Sequence, residues 1–461
     1  MLKKNDILEV SVEADSGNGS GICRVDGMAV FISGTTRFDR VKIKIVNVKS
    51  SYAVAELLEI IEPSDFREDG FCVSSDVCGG CDFAHIKYDR QLEIKKEHVL
   101  SCLERIGKLE KDDFECFDTC GMQTPYRYRN KMVFPLGYDK NKRITGGFYK
   151  RGTHDIAELK SCTQGPKEAS IFLNAVVQYM KENNVSCYDE KSHKGLIRRV
   201  FVRFGFESKE AMVVISANGK KLPKAEKLIE KLVLLNETRF VIKSIILNIN
   251  EQKNNLVLGD KNITLYGEDY IHDTLCGVNY KISPNSFFQI NPVQTEVLYN
   301  KAIEFAELKG NETVIDLYCG IGTISLMAAK YAKSVIGVEI VEQAIEDAKN
   351  NSRINGIENT EFIAGSAETI ASQLAENGKK ADVIFIDPPR KGSDEITLDC
   401  IARMSPEKIV YISCNPATLA RDLAYLKSKG YMTKKVQPVD MFPNTSHVET
   451  VVLIQHDTEI S

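Results

Sequence analysis

The sequence predicts three domains in series: a small OB-like β-barrel, a central α+β region, and a C-terminal Rossmann-like α/β domain. Three patterns predict this. Short apolar strands with period-two alternation fill residues 1–62 and stop at Pro63. Strand-like runs mixed with helical periodicity follow, to about residue 285. From about residue 310 the order becomes strand, glycine loop, helix, strand, helix, the pattern of a doubly wound parallel sheet. A chain of 461 residues has ample length for several cores.

In residues 1–62, Val10 and Val12 alternate with polar neighbours, and 15–21 is a glycine-rich loop. Ala29-Val30-Phe31-Ile32 is a short strand. Val41, Ile43 and Ile45 alternate with Lys42 and Lys44, as in a half-buried strand, and 53–61 supplies the last one. Small barrels of this kind often bind nucleic acid. In 63–285, Leu92, Val99, Leu103 and Ile106 define one face of a helix over 91–106, with Gly107 as its stop. This helix is expected to pack on the C-terminal domain. Strands are expected at 131–134, 211–215 and 244–247, with a helix near 166–183.

Composition narrows the function. Hydrophobic content of 43% and charged content of 27% fit a folded chain. No apolar run approaches the roughly 18 residues of a membrane span, and Met1-Leu2-Lys3-Lys4-Asn5-Asp6 lacks an apolar signal core, so a cytoplasmic location is expected. The net charge of −4 does not by itself announce nucleic acid. Two basic clusters are phosphate sites or solvated faces: Arg127, Arg129, Lys131, Lys150 and Arg151, then Lys191, Lys194, Arg198, Arg199 and Arg203. Thirteen cysteines, an odd number, argue against a disulfide framework. Cys23, Cys102, Cys187, Cys276 and Cys400 read as small buried hydrophobes.

Cys72, Cys78 and Cys81 are different. Their spacing is C-x5-C-G-G-C, and Cys162 follows at a distance. Gly79 and Gly80 let the backbone wrap, so three close thiols and one distant one make a four-sulfur site. Zinc and a [4Fe–4S] cluster both suit it, and spacing does not separate them.

The glycine loop lies in Val314-Ile315-Asp316-Leu317-Tyr318-Cys319-Gly320-Ile321-Gly322-Thr323. Gly320 and Gly322 allow close approach of a ligand. A second strand ends at Glu339, an acid placed to accept both ribose hydroxyls. Position 325 is Ser where a dinucleotide fingerprint has its third glycine, which favours S-adenosylmethionine (SAM) over NAD. A turn at Gly365-Ser366 follows the third strand. The fourth ends at Asp387-Pro388-Pro389-Arg390, where two prolines stiffen the exit. The fifth, Val410-Tyr411-Ile412-Ser413, ends at Cys414-Asn415-Pro416 and sets a thiol at the edge of a cleft. If the last strand runs antiparallel, Glu449 at its start joins Asp387 and Cys414 at the same edge.

These motifs resemble the bacterial RNA uracil-5-methyltransferases of the 23S rRNA type. The resemblance rests on Asp387-Pro388-Pro389-Arg390, Ser413-Cys414-Asn415-Pro416, Ser286-Phe287-Phe288-Gln289-Ile290-Asn291, Tyr126-Arg127-Tyr128-Arg129-Asn130-Lys131 and Gly147-Phe148-Tyr149. Residues 1–62 resemble a TRAM domain through Ser20-Gly21-Ile22-Cys23-Arg24 and Ala29-Val30-Phe31-Ile32, although Thr35-Thr36-Arg37-Phe38-Asp39 replaces its frequent Pro-Gly-Glu turn. The resemblance implies domains at 1–62 (RNA-binding barrel), 63–285 (RNA-binding, with the cysteines) and 286–461 (SAM-dependent methyltransferase). It implies a [4Fe–4S] cluster on Cys72, Cys78, Cys81 and Cys162. It implies a SAM site on Gln289, Tyr318, Thr323, Glu339, Ser366 and Asp387, with Cys414 as nucleophile and Glu449 as base. Thr323 and Ser366 stand where relatives often carry Asn or Asp, and Arg199 stands where His is common and is given no role. The expected partner is RNA, with 23S rRNA ahead of the tRNA T-loop, and neither DNA nor membrane. The expected state is a monomer. Cys414 is expected to add to uracil C6, a step helped by a lowered thiol pKa or a nearby positive group. Phe287 or Phe288 is expected to stack on the flipped base.

Overall fold

The computed structural model describes residues 2–68, 72, 74, 77–158, 161–236 and 238–456. Six strands form the first sheet, in the order Ile7–Ser11, Arg40–Val48, Tyr52–Glu62, Met28–Ser33, Ser20–Val25, Ala14–Asp15. Its two edge strands are separated in the chain only by Val12 and Glu13, so the sheet has to curl until its edges meet. Val30, Ile32, Val41, Ile43 and Ile45 fill the interior with no exposed area.

The helix Tyr88–Arg105 starts three residues before the expected position 91. Its first turn is polar and carries no apolar period, because Arg90 and Gln91 serve as ties. Arg90 pairs with Asp15 of the barrel at 2.8 Å, both side chains being at most 5% exposed. Gln91 donates to the carbonyls of Phe83 and Ile86. On the opposite side Val99, Cys102 and Leu103 share a core with Leu419, Ala420 and Leu423 of the helix Pro416–Lys427. Lys95 and Asp440 form a fully buried ion pair, to which Tyr88 adds a hydroxyl at 2.7 Å. Removing one partner of such a pair costs about 3–5 kcal/mol.

The central sheet has seven strands, in the order Ile156–Glu158, Ile144–Tyr149, Lys131–Tyr138, Ile197–Phe204, Glu210–Ala217, Val241–Ile249, Lys261–Gly267. The helices Lys167–Glu182 and Ala225–Val233 cover one face. On the other face Phe201, Met212, Val214 and Ile246 join the core of the C-terminal domain. A hairpin, Ile271–Leu275 with Val278–Ile282, packs Leu275, Val278 and Tyr280 into that same core. The boundary expected after residue 285 thus falls behind an element packed with the domain that follows.

The second basic cluster divides: Lys191 and Lys194 are exposed, whereas its three arginines are neither a phosphate patch nor a solvated face. Arg198, Arg199 and Arg203 are at most 9% exposed. Arg198 donates to the carbonyls of Asn250, Gln252 and Asn254, Arg199 to those of Asn255 and Leu256, and Arg203 to those of Ser283 and Ser286. Charge counting cannot anticipate this, because the acceptors are backbone carbonyls. Cys23, Cys102, Cys187 and Cys400 are buried as expected, whereas Cys276 is only half-buried.

The C-terminal sheet runs Thr360–Ala364, Ser334–Glu339, Thr313–Leu317, Val383–Ile386, Lys408–Ser413, Glu449–His456, Tyr431–Val439, with the short Glu115–Cys116 at the edge. The first five strands are parallel, and Glu449–His456 runs antiparallel to both neighbours. Their near-continuous Val, Ile and Leu content is what a sheet covered on both faces requires. Among the described residues no helix is long and apolar enough to cross a membrane.

Candidate active site

The parallel strands all end at one edge of the sheet, and the antiparallel strand begins there. Register sets the key pair. Ser413 lies opposite Thr450, so the next residue on each side, Cys414 and Glu449, meet at the rim. Asn415 holds the turn after Cys414: its side chain accepts from the Ala417 amide at 3.1 Å and donates to the Arg390 carbonyl at 3.1 Å. Thr418 donates to the same carbonyl at 3.3 Å. The Asp387-Pro388-Pro389-Arg390 exit is thereby fastened to the Cys414 turn.

At the glycine loop, Tyr318, Gly320 and Gly322 all have positive φ (71°, 56° and 84°). For Tyr318 this is a strained conformation, of the kind that collects at ligand sites. The Glu339 carboxylate accepts from the Gly320 amide at 3.2 Å and the Val341 amide at 3.0 Å, which fixes it at the strand tip.

A cavity of about 660 Å³ occupies this edge. Gln289, Tyr318, Thr323, Glu339, Ser366, Asp387, Cys414 and Glu449 all line it. Its volume suits a nucleoside-sized ligand together with a second ring. Thr323 donates its hydroxyl to Tyr299 at 3.3 Å, and Ser366 caps the helix Ala367–Glu376 through the Thr369 amide. Of the two candidate stacking rings, Phe287 is 64% exposed at the cavity mouth, while Phe288 is buried against Tyr280.

Burial, with Glu449 and Asp387 nearby, pushes Cys414 up to about 11, and Arg390, a nearby positive group, partly opposes this. Burial and Asp387 also hold the Glu449 carboxyl well above its ordinary value. Burial raises Asp387 to about 7, and burial with Asp387 nearby raises Asp316 to about 7. Burial thus favours the protonated forms of Asp387 and Glu449 in the cavity and of Asp316 behind it. A cation bound among them would favour their ionised forms.

Among the lining residues that escaped the sequence reading of the site are His447, Lys131 and Tyr299. His447 had a legible signal, since it stands only two residues before Glu449. Lys131 was visible as part of a motif. Burial, then Arg203 and Arg129, lowers its amine to about 8. Tyr299 lies on the helix Pro292–Ala306, outside the quoted motifs, and gave no signal.

The four expected metal cysteines are electrostatic neighbours. Burial pushes Cys81 up to about 12, and Cys162, Cys78 and Cys72 add to the rise. Among the described residues, no group of three or more His, Cys, Asp or Glu side chains has ligating geometry. The surroundings nonetheless suit an anionic sulfur-bound group. The potential donors Arg129 Nε, Thr163 Oγ1 and Gln164 Nε2 are buried without hydrogen-bond partners, the last two close to Cys162 in sequence. Four thiols are the donor set of either metal group.

Comparison with known proteins places these features. Residues 87–457 match the family described as tRNA (uracil-5-)-methyltransferase, and residues 2–58 match the TRAM domain. A relative in Clostridium tetani, called an uncharacterized RNA methyltransferase, is 46% identical over 99% of this chain and 97% of its own. A relative with the same description in Halalkalibacterium halodurans is 44% identical over 98% of each chain. Among solved structures, the Pyrococcus abyssi tRNA (uracil-54, C5)-methyltransferase in complex with S-adenosyl-L-homocysteine superposes with a TM-score of 0.77 at 26% identity, covering 97% of this chain and all of that one.

Proposed function

The chain belongs to the tRNA (uracil-5-)-methyltransferase family and carries a TRAM domain, and from that premise we propose that it methylates C5 of a uridine in 23S rRNA through a covalent adduct. It is a SAM-dependent RNA methyltransferase. The observation that supports the finer reading best is the meeting of Cys414 and Glu449 across one strand pair, in the cavity that the glycine loop and Asp387 also line. Uracil C5 is a weak nucleophile. Addition of the Cys414 thiolate to C6 forms an S–C6 bond and moves an electron pair toward C5 and O4. C5 then takes the methyl group and the sulfonium becomes a neutral thioether. Glu449 removes the C5 proton, and the returning electrons break the S–C6 bond. Gln289, Tyr318, Thr323, Glu339, Ser366 and Asp387 would hold the donor. Phe287, the exposed ring, would stack on the flipped base. The units 1–62 and 63–285 would hold flanking RNA, and 286–461 would carry the chemistry.

A second substrate reading has its own support, because the solved relative acts on tRNA. Incubation with SAM and either RNA, followed by mass mapping of the methylated nucleoside, decides between them. 5-Methyluridine in 23S rRNA alone is expected. Product in tRNA alone would transfer the assignment, and no C5 product in either would end it.

Cys72, Cys78, Cys81 and Cys162 would hold a [4Fe–4S] cluster, which would clamp the 72–81 segment to that around Cys162. Anaerobic reconstitution with iron and sulfide is expected to give a visible charge-transfer band, and Cys81→Ser should lose most of the bound iron. Stoichiometric zinc with no such band would reverse the choice.

The raised carboxyls predict a pH effect. Asp316 and Asp387 hold protons to about 7 in the fold, against an ordinary 3.8. Their cost to the fold is absent below 3.8, grows as pH rises and is complete above 7. A bound sulfonium offsets it, whereas the neutral sulfur of S-adenosylhomocysteine does not. The thermal-shift advantage of SAM over S-adenosylhomocysteine is therefore expected to grow between about pH 6 and pH 8. A flat or falling advantage would remove these carboxylates from the sulfonium's surroundings.

A further inference from the structure

The turn that departs from Pro-Gly-Glu carries an unusual residue. Phe38 has φ of 72°, in the left-handed region, where a bulky aromatic is a genuine outlier. Its ring is 61% exposed, so core packing does not account for the strain. The neighbours hold the turn around it. The Phe38 amide donates to the Val12 carbonyl at 2.9 Å, and Asp39 accepts from the Thr36 amide at 2.8 Å. One side of the ring is supported by Phe66, stacked at 5.8 Å and 29°. The exposed guanidinium of Arg37 lies 4.6 Å from the ring centroid. Nearby Arg40, Arg67 and Arg90 are committed to carboxylates. Arg37 is the cation left over the aromatic face.

Hydrogen bonds through residues 82–85 link this turn to the segment that carries His447 of the cavity lining. The Thr35 carbonyl lies 3.1 Å from His85 Nε2. The Phe83 amide donates to the Asn444 carbonyl at 3.1 Å, and Ser446 donates to Asp82 at 2.9 Å. The next residue, His447, lines the cavity. A single strand leaving the cavity would meet the barrel here.

We propose that Phe38 and Arg37 form a stacking subsite for an unpaired RNA base, outside the pocket that takes the reacting base. The base would lie on the Phe38 ring, and Arg37 would turn to the adjoining phosphate. Aromatic rings beside a cation bind single strands in this way, because every base has a π-face. The proposal rests on the RNA reading above but not on the methylated position.

The chain contains no tryptophan, so Phe38→Trp installs a single fluorescent reporter. Its emission is expected to be quenched by single-stranded oligoadenylate and not by an RNA duplex of equal length. Phe38→Gly, which relieves the strained φ, should bind the single strand roughly 5- to 100-fold more weakly. Its melting temperature should be unchanged or higher. Absence of quenching, equal quenching by duplex, or unchanged affinity of Phe38→Gly would overturn the subsite. Failure of the wild-type protein to methylate either RNA would instead count against the methylation reading, since the quenching needs no turnover.

Discussion

Replacing Cys414 by alanine is expected to reduce methyl transfer by at least about a thousandfold while leaving SAM affinity within about twofold. The side chain sits on a turn fastened by Asn415 and Thr418 to the Arg390 carbonyl, so alanine removes the sulfur without freeing the loop. Burial and two acids hold the thiol near 11. Forming the thiolate therefore depends on what enters. A cationic donor would lower the cost, and Arg390 adds to it. Transfer should consequently begin only after donor binding, and iodoacetamide should label Cys414 faster with SAM present than without. Turnover near the wild-type rate in Cys414→Ala would end the covalent route.

Glu449→Gln is expected to accumulate a protein–RNA adduct that survives denaturing electrophoresis, with turnover reduced by about a thousandfold. Glutamine keeps the shape and removes the proton acceptor. The adduct would then have gained its methyl group but could not lose its C5 proton, so the S–C6 bond would persist. The high carboxyl pKa of Glu449 serves this step, because a raised pKa makes its anion a stronger base. The adduct should be absent from the Cys414→Ala, Glu449→Gln double variant. A freely turning-over Glu449→Gln enzyme would move the proton to another acceptor, and His447 at the cavity mouth is the nearest alternative by sequence.

The two halves of the site differed in how readable they were. Residues at strand ends are found by a rule of the fold: hydrophobic runs mark the strands, and the next polar residue lies at the ligand edge. That rule found Glu339, Asp387 and Cys414. Glu449 required the further expectation that the last strand is reversed. Tyr299 could not be read, because a helix residue enters the cavity by packing and not by a motif. The thiol's environment was not legible, since sequence shows which acids exist but not that two of them lie near one sulfur. Arg198, Arg199 and Arg203 were misread for a related reason, as composition reports charge and not its acceptor.

The helix Tyr88–Arg105 is pinned at both ends of its duty: Arg90 to the barrel, Lys95 to Asp440 beside the final strand. The barrel therefore does not trail on a tether but stands at a set separation from the chemistry. Such a frame works as a caliper. If both units hold RNA as proposed, an RNA whose contact points match the gap would engage both with little further loss of freedom, while a mismatched RNA would engage only one.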